Sequence, residues 1–224
     1  MTGSDRLESA LDALGRRDLD LDGVHVAVGG REVERHWSLE LRRDIFSASK
    51  TVTSLAVGLA ESEGRLALGD AVVDHLAGVA DEPAPGVEQI TLHHLLTMTS
   101  GIVYRWDDPD ADHPEDPARD VLSTALGAAP GGAFAYRGAS TYLLSRVIRS
   151  CTGSDLRDYL VPRLFTPLGI NNPQWHRCPR GHSLGAVGLQ LRTGELARLG
   201  QVLLDGGRWH DQQLVPSPYI ETMT

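Results

Sequence analysis

The chain has 224 residues, 41% hydrophobic and 23% charged, enough for one large domain or two small ones around a sizeable core. Such a composition excludes disorder, collagen and coiled coil, and no apolar run approaches the roughly 20 residues a membrane-spanning helix needs. With 21 basic against 30 acidic residues and a net charge of -9, a nucleic-acid partner is not expected, since phosphate binding needs clustered Lys and Arg.

Residues 5–16 read as a helix, with Leu7, Leu11 and Leu14 on one face. Val24, Val26 and Val28 then alternate, Gly29-Gly30 makes a turn, and Val33 to Trp37 returns, which is a β-hairpin. From Ser47 the period becomes helical (Val52, Leu55, Ala56, Leu59), with Gly64 at the C-cap position. A short connector with a helical turn or two follows, then a Pro- and Gly-rich loop over 81–90. ITLHHLLTMTSGI is a further helix with Thr91 as its N-cap, ending at Ser100-Gly101. Residues 106–120, WDDPDADHPEDPARD, read as an acidic surface loop. Helices are expected near 118–128 and 139–152, in DLRDYLVPRLFTPLGI with an interruption at Pro162, and in TGELARLGQVLLDGG up to Gly206-Gly207. No internal repeat is visible. The strand signal is thus one hairpin, too little for a stable sheet by itself.

Lys50 is the only lysine; the other 20 basic residues are arginines, which cannot give up a proton as a lysine can. Ser47 lies three positions before it, at the start of a helix. Residues at i and i+3 share a face and helical side chains lean toward the N-terminus, so Lys50 leans back onto the Ser47 hydroxyl. A helix N-terminus carries a positive partial charge that disfavours an ammonium, and a neutral amine beside a hydroxyl is a base beside its nucleophile. The Ser47 N–H, free at a helix start, is a donor for a developing oxyanion. With 15 serines in the chain, one would fall at this spacing by chance about one time in fifteen, so spacing alone also fits a serine cap followed by a solvated lysine. Tyr136 in FAYRG stands just before a helix, where a phenol can shuttle a proton or, equally, be half-buried and bonded to backbone.

FSASKTVTSLAVGLAESEGRLALGDAV, ITLHHLLTMTSGI, FAYRGASTYLLSRVI, LFTPLGI and LRTGELARLGQVLLDGG occur in this order. Together they resemble the serine β-lactamase and penicillin-binding-protein superfamily, especially its class C and esterase-like branch. The resemblance runs from about residue 20 to near the end. It implies an α+β fold, an antiparallel sheet flanked by helices with a mostly helical subdomain over about 66–180, in one domain over 1–224. It implies Ser47 as acylated nucleophile, Lys50 as its base and Tyr136 as second proton carrier, with no metal or cofactor, acting on a small ester or amide. Two departures stand out. The family's asparagine two residues after the tyrosine is Gly138 here, which weakens recognition of β-lactam or peptide amides and makes an ester or a small atypical amide relatively more plausible. The family's third motif, Lys or His before Thr/Ser-Gly on a late strand, does not follow LRTGELARLG. The chain therefore reads as lacking C-terminal strands and one oxyanion donor, a loss worth about 100- to 1000-fold in rate. A non-catalytic remnant acting as a binding protein, and an acyltransferase on the same site, are the alternatives.

Cys151 and Cys178 read as reduced thiols and, with no apolar signal core at the start, the protein reads as cytoplasmic. His93-His94 point about 100° apart on a helix, a poor metal pair. The acidic loop with His113 lacks the spacing of a calcium loop. Trp106 and Trp175 are better placed in packing than in a cleft.

Overall fold

The structure, a computed structural model, describes residues 3–17, 19–104 and 115–224. Gly29 and Gly30 both take positive φ (56° and 75°), the backbone a two-residue hairpin turn requires. They join β1 (Gly23–Val28) to β2 (Arg31–His36) in antiparallel register, Val28 opposite Arg31 and Gly23 opposite His36. Helix α1 (Gly3–Gly15) lies against β2, where Arg35 reaches Glu8 (2.6 Å) and Asp12 (2.8 Å), one helical turn apart.

Two helices form the centre. In α2 (Ser49–Ser62) the apolar residues at helical spacing, Val52, Leu55, Ala56 and Leu59, are all buried. Helix α6 (Gly138–Thr152) is buried without a break from Ala139 to Ile148, and Gly153 ends it with φ 75°. A helix buried on every side must be enclosed, and its buried polar side chains Ser140, Ser145 and Arg146 are each hydrogen-bonded. It packs on α2, on α3 (Val72–His75), α4 (Leu92–Leu96), α5 (Pro117–Ser123) and α7 (Leu156–Leu160). The buried apolar residues form one cluster running through all of these.

Local chemistry sets the boundaries. Thr91 and His94 form a capping box on α4: Thr91 Oγ1 accepts from the His94 N–H and His94 Nδ1 accepts from the Thr91 N–H, each 3.2 Å. At Pro162, which has no N–H to give, the helix widens into a π-segment over Val161–Phe165, and the Thr166 N–H bonds back to Val161 O at 2.8 Å.

Three results differ from the sequence reading. First, the hairpin is not the whole of the β-structure. Strands β3 (Arg43–Asp44) and β4 (Gln174–Trp175) flank β5 (Leu189–Leu191), and β6 (Arg208–Trp209) pairs with β7 (Gln212–Gln213) after α8 (Thr193–Leu204). Strands of two or three residues have no period to read. Second, the helix after Ser47 begins as a 3₁₀ turn over Phe46–Ala48, with the α-helix proper from Ser49. Third, the end of the acidic stretch is not loop: Asp116 caps α5 and its carboxylate takes a 2.5 Å hydrogen bond from the buried Arg146 of α6. Trp106, His113 and the cation reading of that stretch lie outside the described residues. Among the described residues no helix is long and apolar enough to cross a membrane. Helix α9 (Ser217–Met223) closes over α2, Tyr219 lying on Gly58 and donating to Ser54 O at 2.8 Å.

Candidate active site

Strand β3 delivers the chain to the start of α2 through a strained turn. Phe46 takes φ 46°, a left-handed conformation that costs a bulky residue about 1 kcal/mol or more. Asp44 holds that turn: its Oδ1 accepts from the Phe46 N–H (2.7 Å) and from the Gly188 N–H (3.0 Å), tying the turn to the segment ahead of β5. Ser47 then sits in the 3₁₀ turn, and among the described residues no acceptor takes its N–H.

One helical turn on, Lys50 folds back as its spacing requires. Its Nζ donates to Ser47 Oγ at 3.1 Å and to the Ala186 carbonyl at 2.9 Å. The Ala186 carbonyl is placed by a segment stitched from both sides. Ser183 is held by Asp155 (N–H to Oδ1 3.0 Å, Oγ to Oδ2 2.5 Å), and its carbonyl accepts from Ser145 Oγ at 2.6 Å. Thr53 Oγ1 donates to Gly185 O (2.9 Å), Trp175 Nε1 to Val187 O (3.0 Å), and the Leu189 N–H to Ser49 Oγ (3.3 Å). Gly185 is required twice over: its φ is 67°, and a Cβ there would meet Thr141 O at 3.0 Å.

Tyr136 arrives from the other side, on the segment entering α6, pinned where the Ala135 N–H donates to Met98 O (2.8 Å). Lys50 Nζ lies 4.9 Å from the centroid of its ring, within cation–π range. Burial pushes the phenol up, but hydrogen bonding to Ser47 and Lys50 and the Lys50 charge outweigh it, so its pKa falls below the ordinary tyrosine value. The structure brings Ser47, Lys50 and Tyr136 together. Gly138 opens α6 and offers no amide beside them.

Asp44, Phe46, Asp155 and the Ala186 carbonyl were not found from sequence. Asp44, three residues before the serine at a strand end, had a readable signal as a turn-capping aspartate. A backbone carbonyl 136 residues from Lys50 had none. His94 serves in the cap of α4 through its Nδ1. Trp175 is buried, as expected, and both cysteines are free thiols. Glu34 and His36 of β2 and Glu40 beyond it bring potential metal-ligand atoms within 4.8 Å of one another, but Glu34 is already engaged by His25 (3.2 Å) and His36 (2.6 Å).

Known proteins share both sequence and fold with this chain. The β-lactamase family model matches residues 8–209. Lovastatin esterase of Penicillium rubens is 29% identical over 185 residues, covering 72% of this chain and 46% of that protein. Protein flp of Staphylococcus aureus (strain MW2) is 28% identical over 154 residues, 66% of this chain and 31% of its own length. The chain therefore spans less than half of these curated relatives. Among solved structures, a D-stereospecific amidohydrolase from Streptomyces sp. superposes with TM-score 0.75 at 20% identity, over 97% of this chain and 76% of that one. The α+β arrangement of helices around small antiparallel sheets is the one these structures share. With a family model spanning nearly the whole chain, on a fold held in common with such hydrolases, this chain belongs to the β-lactamase family.

Proposed function

We propose that this chain carries the acyl-transfer site of a serine hydrolase, with Ser47 as nucleophile, Lys50 as its base and Tyr136 as second proton carrier. The observation that carries the reading is the 3.1 Å hydrogen bond between Lys50 Nζ and Ser47 Oγ, with the Tyr136 ring against the same amine. Esterase and amidohydrolase relatives support a hydrolase on this fold.

In the proposed reaction Ser47 Oγ attacks the substrate carbonyl while its proton passes to Lys50 Nζ, the base. The oxyanion forms beside the free Ser47 N–H. Collapse breaks the bond to the leaving group, which takes a proton through Tyr136, and an acyl-Ser47 ester remains. Water then attacks this ester, its proton returning through Tyr136 and Lys50, and the acid and free Ser47 are released. The substrate is a small ester or amide. With glycine at position 138 there is no side-chain amide to hold a substrate amide, so an ester is favoured.

Treatment with a fluorophosphonate followed by peptide mass mapping tests this. The expected adduct is on Ser47, absent in Ser47→Ala, with labelling slowed at least about 100-fold in Lys50→Met. A folded protein that takes no label overturns the reading.

A further inference from the structure

Helix α2 carries two fully buried hydroxyls, Ser49 and Thr53, beside its buried Val52, Leu55 and Ala56. A buried hydroxyl costs free energy unless it is hydrogen-bonded, and a valine has the shape of a threonine without that requirement. Both hydroxyls serve one segment of the chain. Ser49 Oγ accepts from the Leu189 N–H at 3.3 Å, and Thr53 Oγ1 lies 2.9 Å from Gly185 O and 3.3 Å from Ser49 O. A hydroxyl has one proton, and the Ser49 carbonyl of its own helix would be enough to satisfy Thr53. The shorter contact goes instead to Gly185.

Gly185 is the centre of a γ-turn. The Ala186 N–H donates to Leu184 O at 2.6 Å, and Gly185 takes φ 67°, the rarer and more strained form of that turn. From Ser183 to Val187 every carbonyl has a partner: Ser145 Oγ, the Ala186 N–H, Thr53 Oγ1, Lys50 Nζ and Trp175 Nε1 in that order. Neighbouring carbonyls of the turn, Gly185 O and Ala186 O, are thus taken by Thr53 and Lys50, which stand three positions apart on one face of α2. Gly185 O lies in the planar peptide unit that carries the Ala186 Cα, so the Thr53 hydroxyl fixes the plane from which the Ala186 carbonyl projects. Thr53, Gly185 and Ala186 are all buried.

Resting on the serine-hydrolase reading above, we propose that Thr53 is a positioning residue for Lys50. Its hydroxyl holds the Gly185–Ala186 peptide so that the Ala186 carbonyl engages one side of Nζ and leaves the other side facing Ser47 Oγ. Lys50 stands on a flexible four-carbon stem, and this carbonyl is its anchor opposite the serine. Without the Thr53 bond the turn loses its outside support, the carbonyl swings and Nζ drifts from the hydroxyl it must deprotonate.

The rate constant for labelling of Ser47 by excess fluorophosphonate tests this, because with the probe in excess it does not depend on how much of a sample is folded. Thr53→Val, which keeps the shape and removes the donor, is expected to slow labelling about 10- to 100-fold, while Thr53→Ser, which keeps the donor, stays within about threefold of wild type. In a Lys50→Met background Thr53→Val should add less than about twofold, since the amine it positions is gone. A wild-type Ser47 that takes no label overturns both readings. With wild-type Ser47 labelled, a valine variant that labels at the wild-type rate, a serine variant as slow as the valine one, or a valine effect undiminished in Lys50→Met each overturns this inference alone.

Discussion

Tyr136 differs from every other tyrosine in the chain in the direction of its pKa. Burial pushes Tyr159 and Tyr219 each up to about 12, and also raises Tyr142 and Tyr104. At Tyr136 burial acts the same way, but Ser47 and Lys50 more than reverse it, because a nearby cation favours the phenolate. Its phenolate therefore forms at lower pH than any of the others. In an alkaline titration followed by tyrosinate absorbance, the first tyrosine to ionise is expected to be missing in Tyr136→Phe. In Lys50→Met it should move to higher pH, since the amine and its charge are gone. A first step that survives Tyr136→Phe unchanged would contradict the geometry at Lys50. Asp44 is a positioning residue in the same neighbourhood. Its Oδ1 holds both the Phe46 and Gly188 N–H groups, so Asp44→Ala should slow fluorophosphonate labelling of Ser47 about 10- to 100-fold by displacing the nucleophile. Asp44→Asn, which keeps an accepting oxygen, should recover part of that rate, an outcome that general destabilisation would not give.

At the scale of elements, α2 bears both the proposed chemistry and the central packing, so its neighbours matter. A Cβ on Gly58 would come within 2.4 Å of the Tyr219 ring, and the hydroxyl of that ring is anchored on Ser54 O. The ring cannot yield without α9 moving. Gly58→Ala is expected to destabilise the protein by about 1–3 kcal/mol in urea unfolding, and to cost clearly less in a Tyr219→Ala background, since the two share one contact. Such helices were readable in advance. The spacing of Val52, Leu55, Ala56 and Leu59, the alternation of Val24, Val26 and Val28, and the Thr91 cap each encode their element locally. The short strands were not: β3 and β4 are strands only because β5 lies between them, and no property of two residues announces a partner, which for β3 lies more than a hundred positions away. The acidic stretch misled for a related reason. Asp116 and Pro117 look like loop residues, yet they cap and open α5, because Arg146 comes from another helix to pair with the carboxylate.

Over the whole molecule, two ion pairs join distant segments and set the response to acid. Arg42, ahead of β3, forks onto Glu195 in α8 (2.6 and 2.9 Å) and also donates to Asn171 O and Asn172 O. Burial pushes the Glu195 carboxyl up, but Arg42 and the Arg192 N–H pull it further down, below its ordinary 4.5. At Asp116 burial is again outweighed, chiefly by Arg146, leaving the carboxyl below 3.8. Carboxyls lowered in the folded state bind protons more readily when unfolded, so their stabilisation is present above the ordinary value and is lost as pH falls through the folded one. Thermal unfolding should therefore show a Tm that falls as pH drops below about 4.5. Glu195→Gln should lower Tm at neutral pH, because it weakens a largely buried pair, and should flatten the acid slope. A slope unchanged in Glu195→Gln would assign the acid sensitivity elsewhere.

Helix and hairpin periods, the caps, the single lysine and its place one turn beyond a serine were settled by the sequence alone, because each depends on residues within a few positions of one another. Tertiary structure alone decided what surrounds that pair. The Ala186 carbonyl on Lys50, the Tyr136 ring against the amine and the Asp44 clasp on the strained turn depend on segments that meet only after the chain has closed on its core. Contacts across such separations are set by packing and not by local preference, and so leave no pattern in the order of residues.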